Sequence, residues 1–300
     1  MTWILAKTYF YSSPTILSII YIVKSARIKG FSQSKVQTDT IDTEAFEKAL
    51  EIITSKSDRR NGVGTLSEKT VHAVLKYYYV PNESYHEVKM GSYVADALYD
   101  GEIYEIQSKS FYTMKPKLDY YLKDHEVTII YPIPVNKTLY YINPETGEMS
   151  DKRLSSKKGK LYDIVPELYG IKEYLTNKKL HFILCFIDMD EYKILDGWSK
   201  DKKRGATKMD RTPTKILGEF RIDKKRDFLN LLPGYENGKR QKDCPIPSEF
   251  TNKDIASLTG THVSYAQILL NILCYLKLAY KIGTKGRCNL YSMTKPKKAN

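Results

Sequence analysis

The sequence predicts an α/β protein: a mixed sheet flanked by helices, followed by a small helical domain closed by a β-hairpin. Three observations carry that expectation. Amphipathic helix signals alternate with short β-prone runs between Thr43 and Ile133. Two of those runs, Val94–Tyr99 and Glu102–Ser108, are joined by Asp100-Gly101, the dipeptide that a two-residue type I′ turn favours. After a turn- and charge-rich stretch, the pattern changes to two close helices and two further β-prone segments. The chain therefore divides into an N-terminal extension (1–42), an α/β domain (43–232), a linker (233–247) and a small C-terminal domain (248–300).

Taken in order, Tyr9–Val23 is an apolar run broken by Ser12, Ser13 and Pro14. It is shorter than the ~20 residues of a membrane-spanning helix and lacks an evident small-residue cleavage site. Membrane association is not the expectation. Thr43–Thr54 places Phe46, Leu50 and Ile53 at helical spacing, with Thr43 as N-cap. Thr65-Leu66-Ser67-Glu68 has capping-box spacing ahead of Val71, Val74, Leu75 and Tyr78, so Glu68 can serve as a cap partner. Tyr85–Lys89 is a short strand and Lys115–Leu122 a helix. Val127–Ile133 is a continuous apolar run ending at prolines, as a buried strand would. His181–Ile187 and Tyr192–Leu195 read as two strands, with Asp188 and Asp190 in a turn between them. In the C-terminal domain, Thr251–Leu258 is a capped helix ended by Thr259-Gly260. Val263–Leu278 is a longer helix, and Tyr280–Met293 holds two β-prone segments around Gly283–Gly286.

Lys+Arg 48 against Asp+Glu 35 leaves a formal charge of +13, which favours a polyanionic partner such as DNA. Basic loop clusters name the residues that would touch phosphates: Lys157, Lys158, Lys202, Lys203 and Arg204, with Lys285 and Arg287 near the C-terminus. The hydrophobic share of 42% is enough for a packed core. Cys185, Cys244, Cys274 and Cys288 show no C-x-x-C spacing, which suggests reduced thiols in a cytoplasmic protein rather than a disulfide framework or zinc site. Nothing suggests a small-molecule cofactor, and a homodimer is left open.

The hairpin carries the chemistry. A two-residue loop puts Tyr99 opposite Glu102, which places Asp96 directly opposite Glu105, with Gln107 one step further on the same face opposite Val94. Both faces of this hairpin are otherwise apolar, as in an interior hairpin. Two carboxylates ~5 Å apart at an effective dielectric near 20 repel by roughly 3 kcal/mol. Either one is protonated or a cation sits between them. Lys109, at the parity of Glu105 and Gln107, and Lys117, on the following helix, are the candidate cations. The plainer alternative is a hairpin whose acids reach solvent at a sheet edge.

The order helix, strand, Asp-strand, Glu-x-Gln strand, helix, strand over residues 65–135 resembles the PD-(D/E)XK nuclease superfamily, in the branch with Glu-x-Gln in place of Glu-x-Lys. Ala95 stands where many members have proline, and Gln107 where most have lysine. The resemblance implies a restriction-endonuclease-like mixed sheet and a site of Asp96, Glu105, Gln107 and Glu68. It also implies Mg²⁺ or Mn²⁺ held by Asp96, Glu105 and the Ile106 carbonyl, and DNA phosphodiester hydrolysis. The C-terminal pattern resembles a winged helix-turn-helix domain, with Lys281, Lys285 and Arg287 in the wing. Two other functions remain open at this point: a non-catalytic DNA-binding regulator, or a partner-binding subunit on the same scaffold.

Overall fold

A computed structural model describes residues 36, 38, 41–58, 69–198 and 204–296. The apolar run Tyr9–Val23, Glu68, Lys202 and Lys203 lie outside these, and of Arg204 only the backbone is described. The architecture is a mixed sheet between two helical layers. Six strands form its main path, in the order β1 (His86–Met90), β2 (Tyr93–Tyr99), β3 (Glu102–Ile106), β4 (Glu126–Ile142), β6 (Leu180–Trp198) and β7 (Arg204–Ile222). The short β5 (Arg153–Leu154) pairs with β4. β4 runs parallel to both β3 and β6, and the other main-path neighbours are antiparallel.

One face is covered by α1 (Thr43–Asp58) and α2 (Lys69–Tyr79). Phe46, Ala49, Val71, Val74 and Leu75 there meet Ile106, Ile130, Ile183, Cys185 and Ile187 of the sheet. The first turn of α1 is capped by Asp42, whose Oδ1 accepts the Ala45 N–H at 2.9 Å, one residue before the Thr43 expected for that role. The other face packs Phe111, Leu118 and Tyr121, from α3 (Lys115–Tyr121) and the turn before it, against Ile129, Phe182 and Leu184. Val165 and Leu168 of α4 (Val165–Gly170) join the same cluster.

The β2–β3 turn has Asp100 at φ 49 and Gly101 at φ 81, the two left-handed residues of a type I′ turn. Strand lengths depart from expectation in an instructive way. β3 stops at Ile106, so Lys109 lies past its end and the parity argument for Lys109 fails. β4 does not stop at its prolines. Gln107 donates its N–H to the Ile130 carbonyl at 2.9 Å, so even-numbered residues of this part of β4 turn their backbone groups toward β3. β3 has ended before Pro132 and Pro134, where a missing N–H leaves no ladder bond unmade. Gly159 occupies the vacated side, donating to Pro134 O at 2.7 Å; a Cβ there would stand 2.5 Å from the same oxygen. β6 is likewise continuous, so Asp188 and Asp190 are strand residues and not a turn. The Asp188 carboxylate accepts from the Asn136 side chain at 2.7 Å. Arg204, expected in a basic loop, is the first residue of β7, and Lys208 lies further along the same strand.

The 233–247 segment contains a small hairpin of β8 (Tyr235–Glu236) and β9 (Lys239–Arg240), with Tyr235 and Ile246 buried. Beyond it come β10 (Glu249–Thr251), α5 (Asn252–Thr259), α6 (Val263–Tyr275), β11 (Tyr280–Lys285) and β12 (Cys288–Ser292), with β12 central in its own sheet. Thr251 and Asp254 form a capping box on α5, and Gly260 at φ 62 ends it. The buried face of α6 (Ala266, Leu269, Leu270, Ile272, Leu273) belongs to the same hydrophobic cluster as α3 and α4. Among the described residues no helix is long and apolar enough to cross a membrane, and all four cysteines are free thiols.

Gly101→Val puts a β-branched residue at positive φ in the turn that sets the β2–β3 register. It should destabilise the fold by about 1–2 kcal/mol. Urea unfolding with an unchanged midpoint would show that the turn does not set the register.

Candidate active site

The β2–β3 ladder pairs Tyr99 with Glu102, Leu98 with Ile103 and Ala97 with Tyr104, the register that brings Asp96 and Glu105 opposite one another. The ladder ends there, and the Asp96 carboxylate takes its place: Oδ2 accepts the Ile106 N–H at 2.8 Å. Asp96 thereby ties the strands together at the point where they stop pairing.

Glu105 is 3% exposed, between Ile103 and Ile106 in a strand buried by its neighbours. Its countercharge is Lys117, whose Nζ lies 3.0 Å from each carboxylate oxygen and also donates to the Val94 carbonyl at 2.9 Å. α3 delivers that ammonium because Leu118 and Tyr121, both 0% exposed, anchor the helix by its apolar face. Burial pushes the Glu105 carboxyl up to about 7; the Asp96 charge adds to the rise and Lys117 opposes it. One turn beyond Lys117, the buried Tyr121 hydroxyl has no hydrogen-bond partner among the described residues. Burial first, then the charges of Glu105 and Asp96, hold that hydroxyl in its neutral form. Tyr121 was not among the residues expected from sequence; its i, i+4 spacing from Lys117 was the signal that could have found it.

Gln107 is half-buried just past β3. Its Nε2 donates to the Lys109 carbonyl at 2.6 Å, which fixes the amide and leaves its oxygen as the accepting side. The other expected basic residues occupy segments of their own. Lys157 and Lys158 are exposed after β5, with Lys158 Nζ 3.0 Å from Asn136 Oδ1. Lys285 and Arg287 are exposed at the β11–β12 turn. Glu68 falls outside the described residues; nearby in sequence, Thr70 donates to the buried Asp210 of β7 at 2.9 Å.

A divalent ion fits this donor set in kind: two carboxylates and a main-chain carbonyl are hard oxygen ligands, and the unpartnered Tyr121 hydroxyl is a buried polar atom beside them. Among the described residues, no group of three or more His, Cys, Asp or Glu side chains converges as metal ligands, so protein oxygens would leave much of the coordination to water.

Fold and site together define a three-layer α/β protein with a buried acid pair on a hairpin and a lysine brought to it from the next helix. The chain belongs to the family described as "Domain of unknown function (DUF8091)", whose match spans residues 69–223. That span runs from α2 to the end of β7 and includes Asp96, Glu105, Gln107 and Lys117. A Treponema pallidum (strain Nichols) protein described as "Uncharacterized protein" is 25% identical over 236 residues, covering 78% of this chain and 88% of that protein. No solved structure matches the chain.

The raised carboxyl of Glu105 has a pH consequence. Below its ordinary value of 4.5 the group is neutral folded and unfolded, so it adds no pH dependence. As pH rises from 4.5 to about 7 the unfolded chain releases a proton that the folded chain retains, so stability is lost over that window. The difference in melting temperature between Glu105→Gln and the wild type should therefore move in the variant's favour from pH 5 to pH 8. A difference constant with pH would mean that Lys117 keeps Glu105 ionised throughout.

Proposed function

We propose that this protein is a metal-dependent nuclease that hydrolyses DNA phosphodiester bonds at the Asp96–Glu105 hairpin. The observation that supports this most is Lys117, held 3.0 Å from both oxygens of a buried glutamate whose strand offers glutamine where a lysine is more usual. The cation absent from position 107 comes from α3 instead. Asp96, Glu105 and the Ile106 carbonyl would hold Mg²⁺ or Mn²⁺, which supplies Lewis-acid neutralisation of charge at the attacked phosphate.

The chain's own residues do the rest. Asp96, with one oxygen held by the Ile106 N–H, would offer the other to the metal. Glu105, relieved of its proton, contributes the second carboxylate. Lys117 is held by Glu105 and the Val94 carbonyl, and with a divalent ion on the acid pair its ammonium would be free to orient the attacking water or steady the phosphate. The Gln107 amide oxygen accepts from that water, since glutamine cannot act as a base.

The C-terminal unit is proposed as a winged helix, supported by its strand order β10-β12-β11 and by Lys285 and Arg287 at the hairpin tip. Lys172 Nζ donates to Asn271 of α6 at 3.0 Å and lies 4.9 and 5.2 Å from the Tyr169 and Tyr275 rings. Because α6 is tied to the main domain this way, DNA contact would fall mainly to the hairpin. A cytoplasmic setting is proposed, in keeping with the free thiols.

A second reading has its own support: Lys117 already neutralises Glu105 and Gln107 is already hydrogen-bonded, as in a non-catalytic DNA-binding scaffold or a partner-binding subunit. Cleavage assays on single-stranded, duplex and branched DNA and on RNA, with Mg²⁺, Mn²⁺ or chelator, separate the two. Asp96→Asn and Glu105→Gln should abolish cleavage while DNA binding persists. Lys117→Ala should slow it by roughly 100-fold, the scale of losing one positioned donor beside the developing charge. Gln107→Lys should preserve or raise it. Wild-type protein inert on every substrate with both metals would replace the nuclease with the scaffold.

A further inference from the structure

The distal parts of β4, β6 and β7 pair as a three-stranded arm whose charge is unevenly distributed. Lys137, Leu139 and Tyr141 share one face with Met189, Glu191 and Lys193, because the register pairs Lys137 with Met189, Leu139 with Glu191 and Tyr141 with Lys193. Across the next ladder Glu191 faces Arg211 and, past a bulge, Lys193 faces Lys208. Glu191 is 2% exposed and lies 3.7 Å from Lys137, 3.3 Å from Lys193 and 3.2 Å from Arg211.

This arrangement costs stability in the free protein. Like charges directly opposite on paired strands repel, and Lys193 opposite Lys208 is such a pair. One carboxylate serves Lys137, Lys193 and Arg211 at once. Burial, and then Arg211, Lys137 and Lys193, disfavour the charged form of Lys208, with Glu191 opposing them. An arm that keeps its lysines so placed is suited to an anion from outside. Glu191 gathers Lys137, Lys193 and Arg211 at one point, and Lys208, opposite Lys193 on the third strand, extends the cations across the sheet beyond it, as a partner with several charges would use. Lys193 also stands 5.7 Å from the Tyr141 ring, which sets an aromatic surface beside the cations.

We propose that this face of the arm binds nucleic acid, with Lys137, Lys193 and Lys208 contacting successive backbone phosphates. The inference rests on the nucleic-acid part of the reading above and not on the acid pair. Glu105 pairs with Ile129 and faces α3, whereas the arm's cations continue the face that carries Ile187 and Met189 under α1 and α2. The arm holds the polyanion and takes no part in bond cleavage.

The test is fluorescence anisotropy of the full chain in chelator, with labelled DNA of about 20 nucleotides, single-stranded and duplex, across a KCl series. The variant Lys137→Gln/Lys193→Gln/Lys208→Gln should bind at least tenfold more weakly near 0.1 M salt. Its slope of log affinity against log salt should be smaller by roughly 2–3, the loss of about three phosphate contacts. Lys193→Arg/Lys208→Arg should keep both quantities near wild type. If the triple variant melts well below the wild type, the exposed Lys208→Gln alone should still lower the slope by about 0.7–0.9. Unchanged affinity and slope in a folded variant, or no DNA binding by the wild type, would overturn the proposal. Because chelator removes cleavage from the measurement, a failed nuclease assay beside lysine-dependent binding would count against the acid pair alone.

Discussion

The parallel pairing of β4 with β6 is the constraint on which the remaining architecture hangs. It runs from Val127–Leu180 to Ile142–Ile194, interrupted by one irregularity at Pro134/Asn136. Within it, Ile130 and Ile183 point to α1 and α2, while Ile129 and Phe182 point to α3 and α4. Parallel strands buried on both faces are apolar, as Ile129–Ile133 and Phe182–Ile187 are at the centre of this pairing. With β4 fixed, β3 can dock only along Glu102–Ile106, and the antiparallel hairpin then carries β2 and Asp96 with it. The position of the acid pair follows from the sheet's centre outward.

Electrostatics at the pair is resolved locally. A carboxylate as buried as Glu105 needs a countercharge or a proton. The structure supplies Lys117, and burial also lifts the carboxyl to about 7, so a modest change in surroundings can shift the balance between the charged and protonated forms. Asp96 has a different arrangement: one of its oxygens accepts the Ile106 N–H, and that bond doubles as the tie between strands. Two acids opposite each other in one hairpin therefore have separate environments, the condition under which paired carboxylates take different roles.

The C-terminal helices are not carried on a free tether. Leu269, Leu270 and Leu273 share a hydrophobic cluster with Leu168 and Ile171, and Lys172 bridges to Asn271 across the contact. The second helix is thus committed on its buried side, while Lys285 and Arg287 are exposed at the β11–β12 turn.

Local rules determined much of what is seen. Asp100-Gly101 dictated a type I′ turn and, by counting from it, the juxtaposition of Asp96 and Glu105. Thr251, Asp254 and Gly260 dictated the ends of α5 in the same way, because caps and turns involve residues only a few positions apart. What depended on distant partners was not legible. Prolines at 132 and 134 signal a strand end unless β3 is already known to have stopped on their side. Asp188-x-Asp190 looks like a turn until Asn136 is placed beside it by β4. Lys117 and Lys109 were equal candidates for the missing cation; the burial of Leu118 and Tyr121 brought one onto Glu105, while the end of β3 removed the other. The basic face of Lys137, Lys193 and Lys208 comes from three strands separated by many residues, so only the register of the folded sheet could assemble it.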